Sequence, residues 1–243
     1  MRLDHATWYE VRDYLTRARG ILLPVGSTEQ HGPIGLIGTD AICAQMIAER
    51  AADQVAAYVA PTLAYTPAPF NMGFPGTMSL SAPLFQALAA ELLTGLLAQG
   101  FTRIYLLNGH GANLAPLRAA MQALPEGRVR LRSWWDFEQV NVLRRTFYDD
   151  WEGMHATPSE VAITQARGRV ISHPDADRAP QKLSSAFITA HAGDKHGPPD
   201  QHRAAFPDGR VGSHSALATP EHGVQILAAA AKAVADDYAA FCG

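Results

Sequence analysis

Four short runs rich in Ile, Leu and Val lie at Ile21–Val25, Tyr58–Leu63, Thr102–Leu107 and Val129–Trp134, and a helical pattern separates each from the next. Strands joined through a helix run parallel, and a parallel sheet needs apolar cover on both faces. The expected fold class is therefore α/β, with a largely parallel sheet between layers of helices. The first helix spans Ala41–Gln54, with Ile42, Met46 and Ile47 at helical spacing, and Ser81–Gln99 forms a second that Gly100 stops. Asn113 is expected to cap a third helix that runs to Leu124 before Pro125. Thr219-Pro220-Glu221 opens a last, Ala-rich helix over Ile226–Tyr238, with Thr as N-cap and Pro in the first turn. Residues 171–218 hold many Pro, Gly, Asp and His residues with little periodicity and read as loop with short strands, a stretch long enough to be functional or an oligomer contact. No repeat or linker divides the chain, so residues 1–243 read as one domain.

Composition narrows the function classes. The net charge is −3 and the isoelectric point about 6.3, with no basic run, which argues against nucleic-acid binding by phosphate neutralisation. Arg128, Arg130 and Arg132 alternate along a strand pattern and read as a solvated sheet edge. The most apolar stretch, Ala82–Ala98, carries Gln86 and Glu91 and suits a core helix better than a membrane span. Met1–His5 lacks the apolar core of a signal peptide, and Cys43 and Cys242 are too few for a disulfide framework, so a cytoplasmic location is expected. Against those two cysteines stand ten histidines, a residue suited to metal ligation and to proton transfer near neutral pH.

Three segments carry candidate chemistry. Gly26-Ser27-Thr28-Glu29-Gln30-His31-Gly32-Pro33, followed by Gly38-Thr39-Asp40, leaves the C-terminal end of the first strand, where open α/β sheets place their ligands. In an extended segment Glu29 and His31 share one side, with Cα atoms roughly 6.5–7 Å apart. That spacing suits two metal ions roughly 3.5–4 Å apart with Asp40 bridging them; alternatively Asp40 or Thr39 caps the following helix. The second segment, Asn108-Gly109-His110-Gly111-Ala112-Asn113, follows the clearest strand. It is only a fragment of the dinucleotide fingerprint, and its glycines better suit a backbone passing close to a compact ion site. In the third, Trp151 to Glu160, Thr157 and Glu160 form a capping box around Pro158, which explains Glu160 as a cap as readily as a ligand. His155, just outside that helix, reads equally as a loop histidine.

Together GSTEQHGP…GTD, FPGT (Phe74–Thr77), NGHGAN and W…H….E resemble the creatininase (creatinine amidohydrolase) family, and the likeness runs through ATPEHG at Ala218–Gly223. The resemblance implies a three-layer α/β/α sandwich, two divalent metals per chain, hydrolysis of C–N bonds in small amides, and a homo-oligomer, typically a hexamer. It implies Glu29, Asp40 and His110 as ligands of one metal, and His31 with the bridging Asp40 as ligands of the other. Creatininase has a Glu two residues after the NGH histidine, where this chain has Ala112, and Glu160 is the candidate replacement. His155 and Glu160 stand as the catalytic candidates, His155 as the proton shuttle. Trp151, Gly111 (where creatininase has a tyrosine) and Asn71 are assigned to the substrate pocket. The expected reaction is attack of a metal-bridging hydroxide on a small amide. The alternatives are a deformylase or peptidase of cofactor biosynthesis, and a metal-binding scaffold without turnover. Mixed carboxylate and imidazole ligands suit Zn first, with Mn or Fe open.

Overall fold

The computed structural model describes residues 1–193 and 195–243. Helix α1 (Trp8–Leu15) leads into β1 (Gly20–Val25), α2 (Thr39–Val55), β2 (Tyr58–Val59), α3 (Ala82–Ala98), β3 (Arg103–Asn108), α4 (Leu114–Met121) and β4 (Val129–Ser133). The strands form one sheet in the order β2-β1-β3-β4, every neighbouring pair parallel. Then come α5 (Glu138–Tyr148), α6 (Pro158–Gln165), three short helices α7 (Pro174–Asp177), α8 (Ser185–His191) and α9 (Pro199–Ala205), and the long α10 (Pro220–Cys242).

The strands read as continuous apolar runs because both faces are buried. Leu22, Tyr105 and Leu107 project into a core built with α2, α5, α6 and α10, while Ile21, Leu23, Ile104 and Leu106 project the other way onto α1, α3 and α4. Alternation of side chains along each strand thus feeds two helix layers from one sheet, the three-layer arrangement.

Three expectations need correction. The second strand is only Tyr58–Val59: Ala60 and Leu63 still donate to Leu22 and Pro24 of β1, but these donors lie three residues apart, out of the two-residue period of a strand. Asn113 does not cap α4 with its side chain; its amide donates to the Gly26 carbonyl at 2.8 Å and to Asn108 Oδ1 at 3.2 Å, tying the β3 loop to the end of β1. Among the described residues, 171–218 hold short helices rather than strands, and strand-type backbone pairing there is limited to an isolated bridge between Val211 and His155. The basic strand is the sheet edge, as its alternation implied, with Arg130 and Arg132 both reaching Asp237 of α10. Among the described residues no helix is long and apolar enough to cross a membrane.

Candidate metal centre

The chain leaves β1 and β3 side by side at their C-terminal ends, and two close backbone approaches draw the loops together. A Cβ on Gly26 would sit 2.2 Å from the backbone N of Ala41, and one on Gly109 would sit 2.5 Å from the carbonyl oxygen of Asp40. Only glycine lets the start of α2 nest against both loops. Asp40 lies in the first turn of α2, where the N-terminal end of the helix dipole favours a carboxylate. The N-cap position is Gly38 and no side chain caps this helix, so Asp40 and Thr39 are not caps.

Asp40 instead faces two histidines. Its Oδ1 is 2.9 Å from His31 Nε2, and its Oδ2 is 3.0 Å from His110 Nδ1. Glu29 Oε1 lies 3.2 Å from His110 Nδ1 and 3.5 Å from His155 Nδ1 and is buried without a hydrogen-bond donor, while Glu160 Oε1 lies 3.7 Å from His31 Nε2. The six side chains of Glu29, His31, Asp40, His110, His155 and Glu160 are all buried. They form three overlapping groups with ligand atoms close enough to share an ion: Glu29, Asp40 and His110; His31, Asp40 and Glu160; and Glu29, His31 and His155.

Each histidine is held from behind by a main-chain carbonyl. His31 Nδ1 lies 3.0 Å from Glu29 O, His110 Nε2 2.7 Å from Pro67 O, and His155 Nε2 2.7 Å from Gln30 O, with the side-chain amides of Gln30 and Asn71 also 3.0 and 3.2 Å from that His155 nitrogen. A ring that donates through one nitrogen turns the lone pair of the other inward, the arrangement that orients metal-ligating imidazoles. Ser27 Oγ supports Asp40 Oδ2 at 2.8 Å, and Asn71 Nδ2 supports Glu29 Oε2 at 3.0 Å.

The same contacts set the charges. Burial opposes ionisation of Glu29 and Asp40, but the facing histidines prevail and hold both carboxyls below their usual range. Burial also disfavours charge on His31, yet Asp40, Glu160 and Glu29 push it up to about 10, and Glu29 and Asp40 raise His110 likewise. Burial pushes Glu160 up to about 8 and His155 down to about 4, which keeps the His155 imidazole neutral at neutral pH. This donor set of carboxylate oxygens and imidazole nitrogens, with one buried carboxylate oxygen lacking a donor, fits divalent cations of the Zn, Mn and Fe type.

A cavity of about 220 Å³ opens onto this cluster, and Asp40, His110, His155 and Glu160 all contribute to its wall. Of the residues assigned to the pocket from sequence, Gly111 lines it. Asn71 lies behind the cluster on Glu29, and Trp151 packs on His214 with Lys182 Nζ 4.4 Å above its ring, away from the lining. Trp134, Trp135, Met154 and Arg144 line it without having been anticipated. Trp134 read as the last residue of a strand, whereas β4 stops at Ser133 and a single 3-10 turn carries Trp134 and Trp135, with Trp134 buried in the core and Trp135 packed against it. Arg144 is placed by Glu152, 3.0 Å from its Nε, and by Asn141 one turn earlier on α5, 2.8 Å from its Nη1.

The family model described as "Creatininase: Creatinine amidohydrolase" matches residues 4–237. The mycofactocin precursor peptide peptidase of Mycolicibacterium smegmatis is 40% identical over 116 residues, a stretch covering 44% of this chain and 46% of that protein, so the match spans less than half of the relative. The creatinine amidohydrolase of Pseudomonas putida is 26% identical over 200 residues, covering 72% of this chain and 77% of that one. Among solved structures, "Creatininase Mn" superposes with a TM-score of 0.76 at 23% identity, covering 97% of this chain and 96% of that one. A creatininase variant described as "Zn-Zn type" gives 0.74 at the same identity and coverage. At that identity the likeness carries the three-layer fold.

Proposed function

This chain belongs to the creatininase family, and on that premise we propose that it is an amidohydrolase that holds two divalent ions, with Zn favoured over Mn or Fe, and cleaves a C–N bond of a small amide. The observation that carries the reading is Asp40, whose two oxygens each face a different histidine, both tied back to main-chain carbonyls. Glu29, Asp40 and His110 would hold one ion; His31, Asp40 and Glu160 would hold the other.

Divalent ions so placed supply a nucleophilic hydroxide near neutral pH and polarise the scissile carbonyl. The chain's own residues do the rest. His155, kept neutral by burial and held at Nε2 by Gln30 and Asn71, stands with Nδ1 beside Glu29 and serves as the group that takes up a proton and returns it to the leaving nitrogen. Trp134 and Trp135 wall the cavity and exclude water from the cluster, while Gly111 leaves its own wall without a side chain, so room remains beside His110. Exposed Leu84, Leu88 and Leu92 on α3 support the further reading that the chain works as a homo-oligomer, a hexamer by the family resemblance.

Elemental analysis of protein purified without chelator is expected to give close to two equivalents of divalent ion. A screen on creatinine, formamides and short peptides should then give hydrolysis that a chelator abolishes and Zn or Mn restores. Metal retention with no turnover on any class would leave a binding scaffold. The peptidase reading has one specific support, the higher identity to the mycofactocin precursor peptide peptidase, and turnover confined to peptides would establish it.

A further inference from the structure

A second cavity, of about 590 Å³, lies at the opposite end of the sheet. Gly20 lines it, whereas Val25 at the far end of the same strand precedes the metal-centre loop, so roughly 17 Å of strand separate the two sites. Four arginines line this cavity, Arg17, Arg19, Arg103 and Arg128, and no Asp or Glu side chain does. Their polar contacts are few: Arg17 Nη1 reaches Asp13 O at 3.5 Å and Arg103 Nη1 reaches Thr102 O at 3.2 Å. Among the described residues none of the four pairs with a carboxylate. Arg130 and Arg132, next along the same edge, are both satisfied by Asp237, so proximity to that edge does not itself leave an arginine unpaired.

The local charge does not balance. The C-terminal ends of α1, α2 and α10, at Thr16, at Val55 and at Ala239–Cys242, adjoin the cavity and contribute about half a negative charge each. The carboxyl group of Gly243, the last residue of this sequence, adds one more at most. Four guanidiniums against about two and a half negative charges leave an excess of about one and a half. Two of the arginines are also positioned by aromatic rings: the Arg17 guanidinium lies 5.6 Å from the Tyr14 ring centroid and that of Arg103 5.8 Å from Phe241. Guanidinium forks match the oxygens of phosphate and carboxylate groups.

We propose that this cavity is a binding site for a small dianion, a phosphate group or a dicarboxylate, separate from the metal centre. Inorganic phosphate, succinate and chloride at matched ionic strength, titrated calorimetrically into metal-loaded protein, test it. One dianion per chain is expected to bind saturably while chloride gives no saturable heat, and the stronger of phosphate and succinate identifies the source. Among the described residues Arg19 and Arg128 line the cavity without a side-chain hydrogen bond, so replacing both with Gln should leave the fold and the metal content unchanged and weaken dianion binding at least tenfold. The double Lys replacement should recover part of that loss. Because phosphate could also meet bound metal, Asp40→Asn serves as the second arm and should leave the arginine-dependent binding in place. Binding that survives the Gln pair, that disappears with Asp40→Asn, or that chloride reproduces would each overturn the proposal.

Discussion

The backbone N–H of Thr157 donates to Glu160 Oε1 at 2.6 Å, and that same oxygen lies 3.7 Å from His31 Nε2. Glu160 thus closes a capping box at the start of α6 while standing at the edge of the candidate metal centre. Glu160→Gln separates the two roles. A capping box accepts Gln, so the fold should lose no more than about 1 kcal/mol in denaturant unfolding. The lost carboxylate charge should remove roughly one of two metal equivalents and collapse activity. A Gln variant that keeps both ions would make Glu160 a cap only, with the second ion's carboxylate supplied from elsewhere.

Asp40 belongs to two of the ligand groups, Glu29–Asp40–His110 and His31–Asp40–Glu160. Asp40→Ala should therefore strip both ions, while His110→Ala should mainly deplete the first. Elemental analysis of the two variants, purified side by side, checks the asymmetry. Equal losses from both would contradict a bridging role for Asp40. Losing ions that bind only the native state should also lower the melting temperature of metal-loaded protein, more for Asp40→Ala than for His110→Ala.

The parallel sheet was legible because Ile21–Val25 and Thr102–Leu107 are buried on both faces and so lack any polar alternation that could hide them. The clustering of Glu29, His31, Asp40, His110 and Glu160 was legible because these residues follow strand ends or open helices, places that sequence punctuation marks. What was not legible depends on side-chain direction or on distant partners. Trp151 and the Trp134-Trp135 pair are equally aromatic in sequence, and only packing on His214 takes Trp151 away from the cavity. Asn113 looks like an N-cap until Gly26 O, 87 positions earlier, comes within reach of its amide. The early end of the second strand was not legible either, because Ala60 and Leu63 bond to β1 three residues apart, which depends on the register with β1.

The exposed leucines of α3 bear on assembly. Phe85, Ala89 and Leu93 turn inward, while Leu84, Leu88 and Leu92, spaced four apart on another face, are 56%, 37% and 38% exposed. An apolar stripe of that kind on a monomer invites burial. Sedimentation at micromolar concentration should give a multiple of 26.2 kDa, with six the expected number, and Leu88→Glu should lower it. A monomeric mass for the unaltered protein would end the oligomer reading. In residues 171–218, Phe187 packs on Phe206 and His191, which leaves Ile188 as the exposed apolar residue of that group.

The metal centre should exchange protons for ions. Without ions, His31 holds its proton up to about 10, His110 is raised in the same direction, and Glu160 is pushed up to about 8. All three are above their unfolded values, so above pH 6.5 the folded chain binds protons that the unfolded chain has released. Stability of the ion-free protein must then fall as pH rises, by about 1.4 kcal/mol per pH unit for each such proton, with the Glu160 share complete near pH 8 and the His31 share near pH 10. The depressed Glu29 and Asp40 act in the opposite sense, but only below about pH 4.5, where their unfolded counterparts take up protons. Bound ions take the place of the three protons and remove the slope. Thermal unfolding from pH 7 to pH 9 should accordingly show a falling midpoint for chelated protein and a nearly level one for loaded protein. Metal affinity should climb over the same interval. Calorimetric loading at pH 7, in buffers of different ionisation enthalpy, should release at least two protons per chain, since ligating imidazoles and carboxylates must be deprotonated. Release near zero would mean that the ions bind without displacing protons from His31, His110 and Glu160, and would remove these three residues from the ligand set.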